Sequence, residues 1–222
     1  MSSTENKKMI LIVGGTGTGK TTSLRNLDKE KTAYIDFDRK AIKAFRDMDK
    51  FREWVKIDYT DHLLPGLKGL EADPECDTII IDTLSFALDM FVAQHIDTAA
   101  DSRAAWGDYK RWYKEVIHLA KSSTKTYIFL THEKSVYNEA AMETKTVAYA
   151  QGSIAGMIEA DFALVAYSHK YINDVGMPAW GFLVGPTKDT LALSAKSPMG
   201  MFEDPLVPDN DVNTLIKAAD EY

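Results

Sequence analysis

The sequence predicts an α/β fold with a mostly parallel central sheet, flanking helices, and antiparallel strands at its C-terminal end. Three observations predict it. Short continuous apolar runs, such as MILIV (9–13) and TIIID (78–82), are those of strands buried on both faces. Stretches of helical period alternate with them. A glycine-rich turn, GGTGTGKT (14–21), follows the first run.

In chain order, strand 9–13 leads through that turn into a helix expected from Lys20 to Leu27. Residues 32–36 form the second strand. Residues 39–48 read as a helix with Ala41, Ile42, Phe45 and Met48 on one face. EWVKI (53–57) is a further strand candidate. Pro65 and Gly66 break the next segment, so a helix there is expected to be short or to start late. Strand 78–82 is the clearest of all. Helical stretches at 84–98 and 105–121 precede strand 126–131. Residues 135–150 lack a convincing period and read as a loop or hairpin. A short helix is expected over 152–159, then strands 162–167 and 179–184, and a turn, GPTKDT (185–190). LALSA (191–195) starts the last strand. Asp209 or Asn210 is placed to cap a final helix, 211–221.

The chain has 222 residues, 45% hydrophobic and 27% charged, enough for one full core and too few for two large domains. Residues 1–8 are read as a flexible N-terminus and 9–222 as one domain. The net charge of −7 argues against bulk attraction to nucleic acid or anionic membrane, while leaving room for local basic patches. A single cysteine, Cys76, excludes an internal disulfide framework and fits a reducing compartment. MSSTENKK followed by five apolar residues is no signal peptide, and no run reaches the ~18 apolar residues of a membrane span. The expectation is a soluble cytoplasmic protein.

GGTGTGKT fits the phosphate-loop pattern G-x-x-x-x-G-K-[ST]. Glycines allow the backbone N–H groups to cradle phosphates at a helix N-terminus. Gly14, Gly15, Thr16, Gly17, Thr18, Gly19, Lys20, Thr21 and Thr22 are the expected nucleotide-binding set. Lys20 would reach the β- and γ-phosphates, and the Thr21 hydroxyl would ligate Mg²⁺. Asp82, at the end of TIIID, is the partner carboxylate for that metal.

YIDFDRKA (34–41) ends a strand in two acids, Asp36 and Asp38. They are either a solvated strand end, a cap for the helix that follows, or catalytic. The order of parts (phosphate loop, strand ending in acids, metal strand, strand ending in a polar residue) resembles the RecA-type recombination ATPase core over most of residues 9–200. YIDFDRKA is similar to that family's D-A-E-H-A segment, whose glutamate activates the attacking water. The resemblance puts Asp38 at the glutamate position and Asp36 at the preceding aspartate. CDTIIIDTLSFAL (76–88) resembles the metal-strand segment. YIFLTHEK (127–134) resembles the strand whose terminal glutamine senses the γ-phosphate; His132 stands there instead, able to donate one hydrogen bond, or two when charged.

All six arginines lie at or before Arg111, so no arginine finger can come from the C-terminal half. The absence also counts against kinases with a late arginine lid. The resemblance points instead to lysines that reach across a subunit interface: LSAKSPMGMF (193–202) is similar to that segment, with Lys196 the candidate and Lys188 a poorer one. It also implies two loops that grip single-stranded DNA, about 97–106 and 135–152. These hold Arg103, Trp106, Tyr137, Lys145 and Tyr149, next to Lys134.

The plan looks most like the short phage-encoded RecA-like proteins that act as ATP-dependent single-strand annealing or recombination factors. Only MSSTENKK precedes the first strand, where full recombinases carry a polymerising arm. A ring or a DNA-assembled oligomer is therefore as open as a filament. The leading expectation is an ATP- and Mg²⁺-dependent ATPase that binds single-stranded DNA without sequence preference and self-associates. A small-molecule kinase and a nucleotide-gated interaction module are the alternatives.

Overall fold

The structure, a computed structural model, describes residue 6 and residues 8–39, 45–139 and 142–222. The apolar runs become the inner strands: β1 (Met9–Val13), β2 (Thr32–Asp36), β4 (Thr78–Asp82) and β5 (Thr126–Thr131) are buried at every residue. With β3 (Glu53–Lys56), β8 (Leu164–Ile172), β9 (Pro178–Leu183) and β10 (Leu206–Pro208) they form one sheet, in the order β10-β9-β8-β1-β5-β4-β2-β3. The six strands from β8 to β3 are parallel, while β9 is antiparallel to both β8 and β10. This is the expected mostly parallel sheet with antiparallel strands near the C-terminus.

Side-chain alternation along the strands gives the sheet two cores. Leu11, Ile35, Ile81 and Phe129 face α1 (Leu63–Ala72), α2 (Leu84–Phe91) and α3 (Ser102–Ser122). Ile12, Tyr34, Ile80 and Leu130 face the other way, onto Phe45, Met48, Phe51 and α4 (Val212–Glu221). The expected helix over 39–48 falls largely outside the described residues.

Several expectations are corrected. The helix expected over 20–27 is a single 3-10 turn, Thr21–Leu24. Thr21, Thr22 and Ser23 are weak helix formers, and the Ser23 hydroxyl bonds the Lys20 carbonyl at 2.6 Å, sharing it with the Ser23 N–H at 3.2 Å. α1 starts before Pro65, because a proline in the first turn lacks only an N–H that needs no partner there. The stretch after α2 closes as a π turn, Val92–Ile96. Residues 152–159 give two short 3-10 turns, Gly152–Ile154 and Ile158–Asp161. LALSA forms no strand; Leu193 and Lys196 make isolated bridges to Thr146 and Val165, and β10 is the last strand. Asp211, not Asp209 or Asn210, caps α4 by accepting the Asn213 N–H at 3.0 Å.

β6 (Glu133–Asn138) and β7 (Glu143–Ala148) pair as an antiparallel hairpin, apart from the main sheet. Of residues 1–8, 1–5 and 7 lie outside the described set. Asn6 donates to the carbonyls of Ala120 and Lys125 at the end of α3, and Lys8 pairs with Asp220 at 3.2 Å. Among the described residues no helix is long and apolar enough to cross a membrane.

Candidate nucleotide site

The strand ends build the site. β1 runs into the glycine loop, whose first amide, Gly14 N–H, donates to the Thr131 carbonyl at the end of β5. Gly17 and Gly19 have φ of +77° and +98°, a left-handed backbone that side chains disfavour. A Cβ on Gly19 would also lie 2.6 Å from Asn210 Nδ2. Lys20 folds back across the loop, and its ammonium donates to the carbonyls of Gly14 and Gly15 at 2.6 and 2.8 Å. Thr18 braces the loop through Gly15 O, and the Ser168 hydroxyl donates to the Thr18 carbonyl at 2.7 Å.

Because β2 and β4 pair in register, Asp36 opposes Asp82 at the sheet's C-terminal edge. Asp82 is buried. Its Oδ2 accepts the Thr21 hydroxyl at 3.1 Å and the Tyr34 hydroxyl in a short bond. Burial raises its pKa to about 6; the Tyr34 bond opposes that, the nearby Asp38 charge adds to it, and the Thr21 bond opposes it. Its Oδ1 has no hydrogen-bond partner among the described residues. An orphaned carboxylate oxygen beside a threonine hydroxyl is an incomplete set of hard oxygen donors. Mg²⁺ is completed elsewhere by phosphate and water, so these residues fit it. No cluster of three metal-ligating side chains exists among the described residues, so no all-protein cage competes.

The two acids of YIDFDRKA separate. Asp36 is fully buried and accepts the Arg39 N–H at 2.7 Å and the Trp54 indole N–H at 3.3 Å. Burial raises its pKa, and the Arg39 bond counters part of that. It holds the turn after β2. Asp38, half-buried, lines a cavity of about 200 Å³ with Thr16, Gly17, Gly19, Lys20, Thr21, Thr22, Asp82, Thr83 and His132. The structure thus brings Lys20, Thr21, Asp38, Asp82 and His132 together from the ends of β1, β2, β4 and β5. His132 Nδ1 lies 2.9 Å from the Ser85 hydroxyl. Lys196 does not join them: its backbone pairs with Val165 near the start of β8, and Lys188 is exposed.

A second, larger cavity of about 480 Å³ adjoins the loop, lined by Gly17, Gly19, Thr22, Arg25, Trp180, Asp209 and Asn210. Asn210 donates to the Gly19 carbonyl at 2.8 Å, and Arg25 bonds the Asn210 carbonyl and pairs with Asp209 at 3.2 Å. The sequence reading missed Arg25, Trp180, Asp209 and Asn210 as site residues. No local motif marks them, since β9 and the chain after β10 reach the loop only through the fold.

The expected DNA-contacting loops are partly occupied by packing. Trp106 lies edge-on to Tyr109 and fills the space beside Gly152, and Tyr149 donates to Asp89 at 2.9 Å. Tyr137, on β6, is 58% exposed, beside exposed Val136 and Met142. Lys145 pairs with Glu143 at 3.0 Å, and Lys134 reaches the Ala150 carbonyl.

Residues 6–191 match a protein family described as an AAA domain. No curated protein matches the chain.

Proposed function

The chain belongs to the AAA domain family, so it carries a P-loop NTPase core; from that premise we propose an Mg²⁺-dependent ATPase, stimulated by single-stranded DNA and serving strand annealing or recombination. The observation that carries the ATPase reading is the gathering of Lys20, Thr21, Asp38, Asp82 and His132 around one cavity. Mg²⁺, if bound there, would supply positive charge against the charge that develops on the phosphates. Lys20 exchanges the Gly14 and Gly15 carbonyls for phosphate oxygens. Thr21 and Asp82 would hold the metal, and Asp82 would ionise beside it, because an adjacent cation opposes the effect of burial. The loop amides receive the phosphates; with only a 3-10 turn behind them, their own N–H groups carry most of that attraction.

Asp38 accepts the proton of the attacking water, and His132 donates to the phosphate being released. Trp180 flanks the base in the adjoining cavity. The DNA part of the reading rests on the resemblance to RecA-type cores and on the β6–β7 hairpin, where exposed Tyr137 offers a stacking surface on one face and Lys134 and Lys145 lie on the other. The resemblance also supports self-association, with Lys196 serving a neighbouring subunit's site, and a phage origin acting in a bacterial cytoplasm.

The test is phosphate release from ATP with Mg²⁺, with and without single-stranded DNA, beside a Lys20→Ala control. Turnover stimulated by DNA and lost in the control supports the reading. Turnover that ignores DNA and follows a metabolite would make the chain a kinase. Binding without turnover would make it a nucleotide-gated interaction module.

A further inference from the structure

Ser85, at the start of α2, is buried, is not part of the nucleotide cavity's lining, and hydrogen-bonds two residues that are, Thr83 and His132. Its hydroxyl lies 3.0 Å from Thr83 Oγ1 and 2.9 Å from His132 Nδ1, and it accepts the His132 backbone N–H at 3.4 Å. Thr83 Oγ1 in turn accepts the Phe86 N–H at 3.4 Å as the cap of α2. A neutral imidazole carries one N–H, and each hydroxyl carries one proton, so the directions in this chain are constrained.

Only one arrangement gives every proton in these contacts an acceptor. Thr83 O–H donates to Ser85, and Ser85 O–H donates to His132 Nδ1. In the reverse arrangement His132 Nδ1–H donates to Ser85 and Ser85 donates to Thr83. The buried Thr83 hydroxyl hydrogen is then left without an acceptor among the described residues, at the cost of a lost hydrogen bond.

We infer that Ser85, oriented by Thr83, is a positioning residue that holds His132 as the Nε2–H tautomer, so that a neutral imidazole presents a hydrogen-bond donor to an anionic phosphate oxygen. The inference rests on the reading that His132 meets the phosphate in this cavity. A free imidazole divides between two tautomers, and the Nδ1–H form would turn a lone pair toward the phosphate. The Ser85 hydroxyl removes that unproductive form before the nucleotide arrives.

Two measurements test it. Nitrogen-15 NMR of histidine-labelled protein reports the His132 tautomer without any turnover, with a His132→Asn spectrum for assignment. The wild type is expected to show protonated Nε2 and bare Nδ1, and Ser85→Ala a mixture. Steady-state hydrolysis is then compared for Ser85→Ala in the wild type and in a His132→Gln background, where an amide N–H replaces the imidazole and has no tautomer to set. Ser85→Ala is expected to lower kcat about tenfold with KM unchanged in the first, and to change nothing further in the second. A wild-type Nδ1–H tautomer, or an equal loss from Ser85→Ala in both backgrounds, would overturn the inference. If hydrolysis is absent, the reading of the site fails, while the NMR result still decides which tautomer Ser85 holds.

Discussion

Asp82 shows what the site demands of a single residue. Its folded-state pKa, about 6, lies above the ordinary carboxylate value of 3.8, so the native state holds that proton more tightly than the unfolded chain. The resulting stabilisation is complete below the unfolded value and is lost as pH rises through about 6. A shift of that size corresponds to about 3 kcal/mol. In chelator, the wild type is therefore expected to lose stability between pH 4 and pH 8, and Asp82→Asn to lose much less; urea unfolding across that range measures both. Asp38→Asn is expected to lower turnover by about 10²-fold or more while leaving nucleotide binding intact, since a general base contributes on that scale. Unchanged turnover would remove Asp38 from the mechanism. Lys20, Thr21 and Asp82 were legible in the sequence because their chemistry is written in contiguous motifs. Tyr34 and Ser85 were not, because each gains its role from a partner 48 or 47 residues away. The acids of YIDFDRKA were legible as a pair, but only the Trp54 and Arg39 contacts reveal that Asp36 holds a turn.

At the scale of elements, the inner strands were legible because burial on both faces demands unbroken apolar runs. The errors fell where tertiary contacts override local pattern. LALSA has strand-like residues, but β10 takes the edge position beside β9. The turn after the phosphate loop has helical spacing, but its hydroxyls compete for the backbone. The cavity beside Trp180 arises because β9 and the chain after β10 both approach Gly19. Trp180→Ala is expected to weaken nucleotide binding about tenfold, a loss on the scale of one base–aromatic stack; titration of a fluorescent ATP analogue measures it. Tyr137→Ala on β6 is expected to raise the dissociation constant for single-stranded DNA by a similar factor, read by fluorescence anisotropy at fixed salt. An unaltered affinity would move any DNA contact away from the hairpin.

At the scale of the molecule, the sheet puts four strand ends on one edge and leaves Lys196 on another part of the fold. The proposed catalytic role of Lys196 therefore requires the neighbouring subunit of the proposed assembly. Mixing Lys196→Ala with Asp38→Asn is expected to restore part of the turnover that each lacks alone, because a mixed pair contains one intact shared site. No recovery over a range of protein concentration would remove the shared site. The β6–β7 hairpin adds something further. It leaves the main sheet immediately after His132, and it returns where the Tyr149 N–H bonds the His132 carbonyl at 2.8 Å. Both feet of the hairpin thus stand on His132, a residue of the cavity lining. If DNA binds β6 and β7 as proposed, DNA there and a phosphate in the cavity would pull on opposite ends of one lever. Linkage makes such a lever work equally in both directions: whatever factor DNA adds to ATP affinity, ATP must add to DNA affinity.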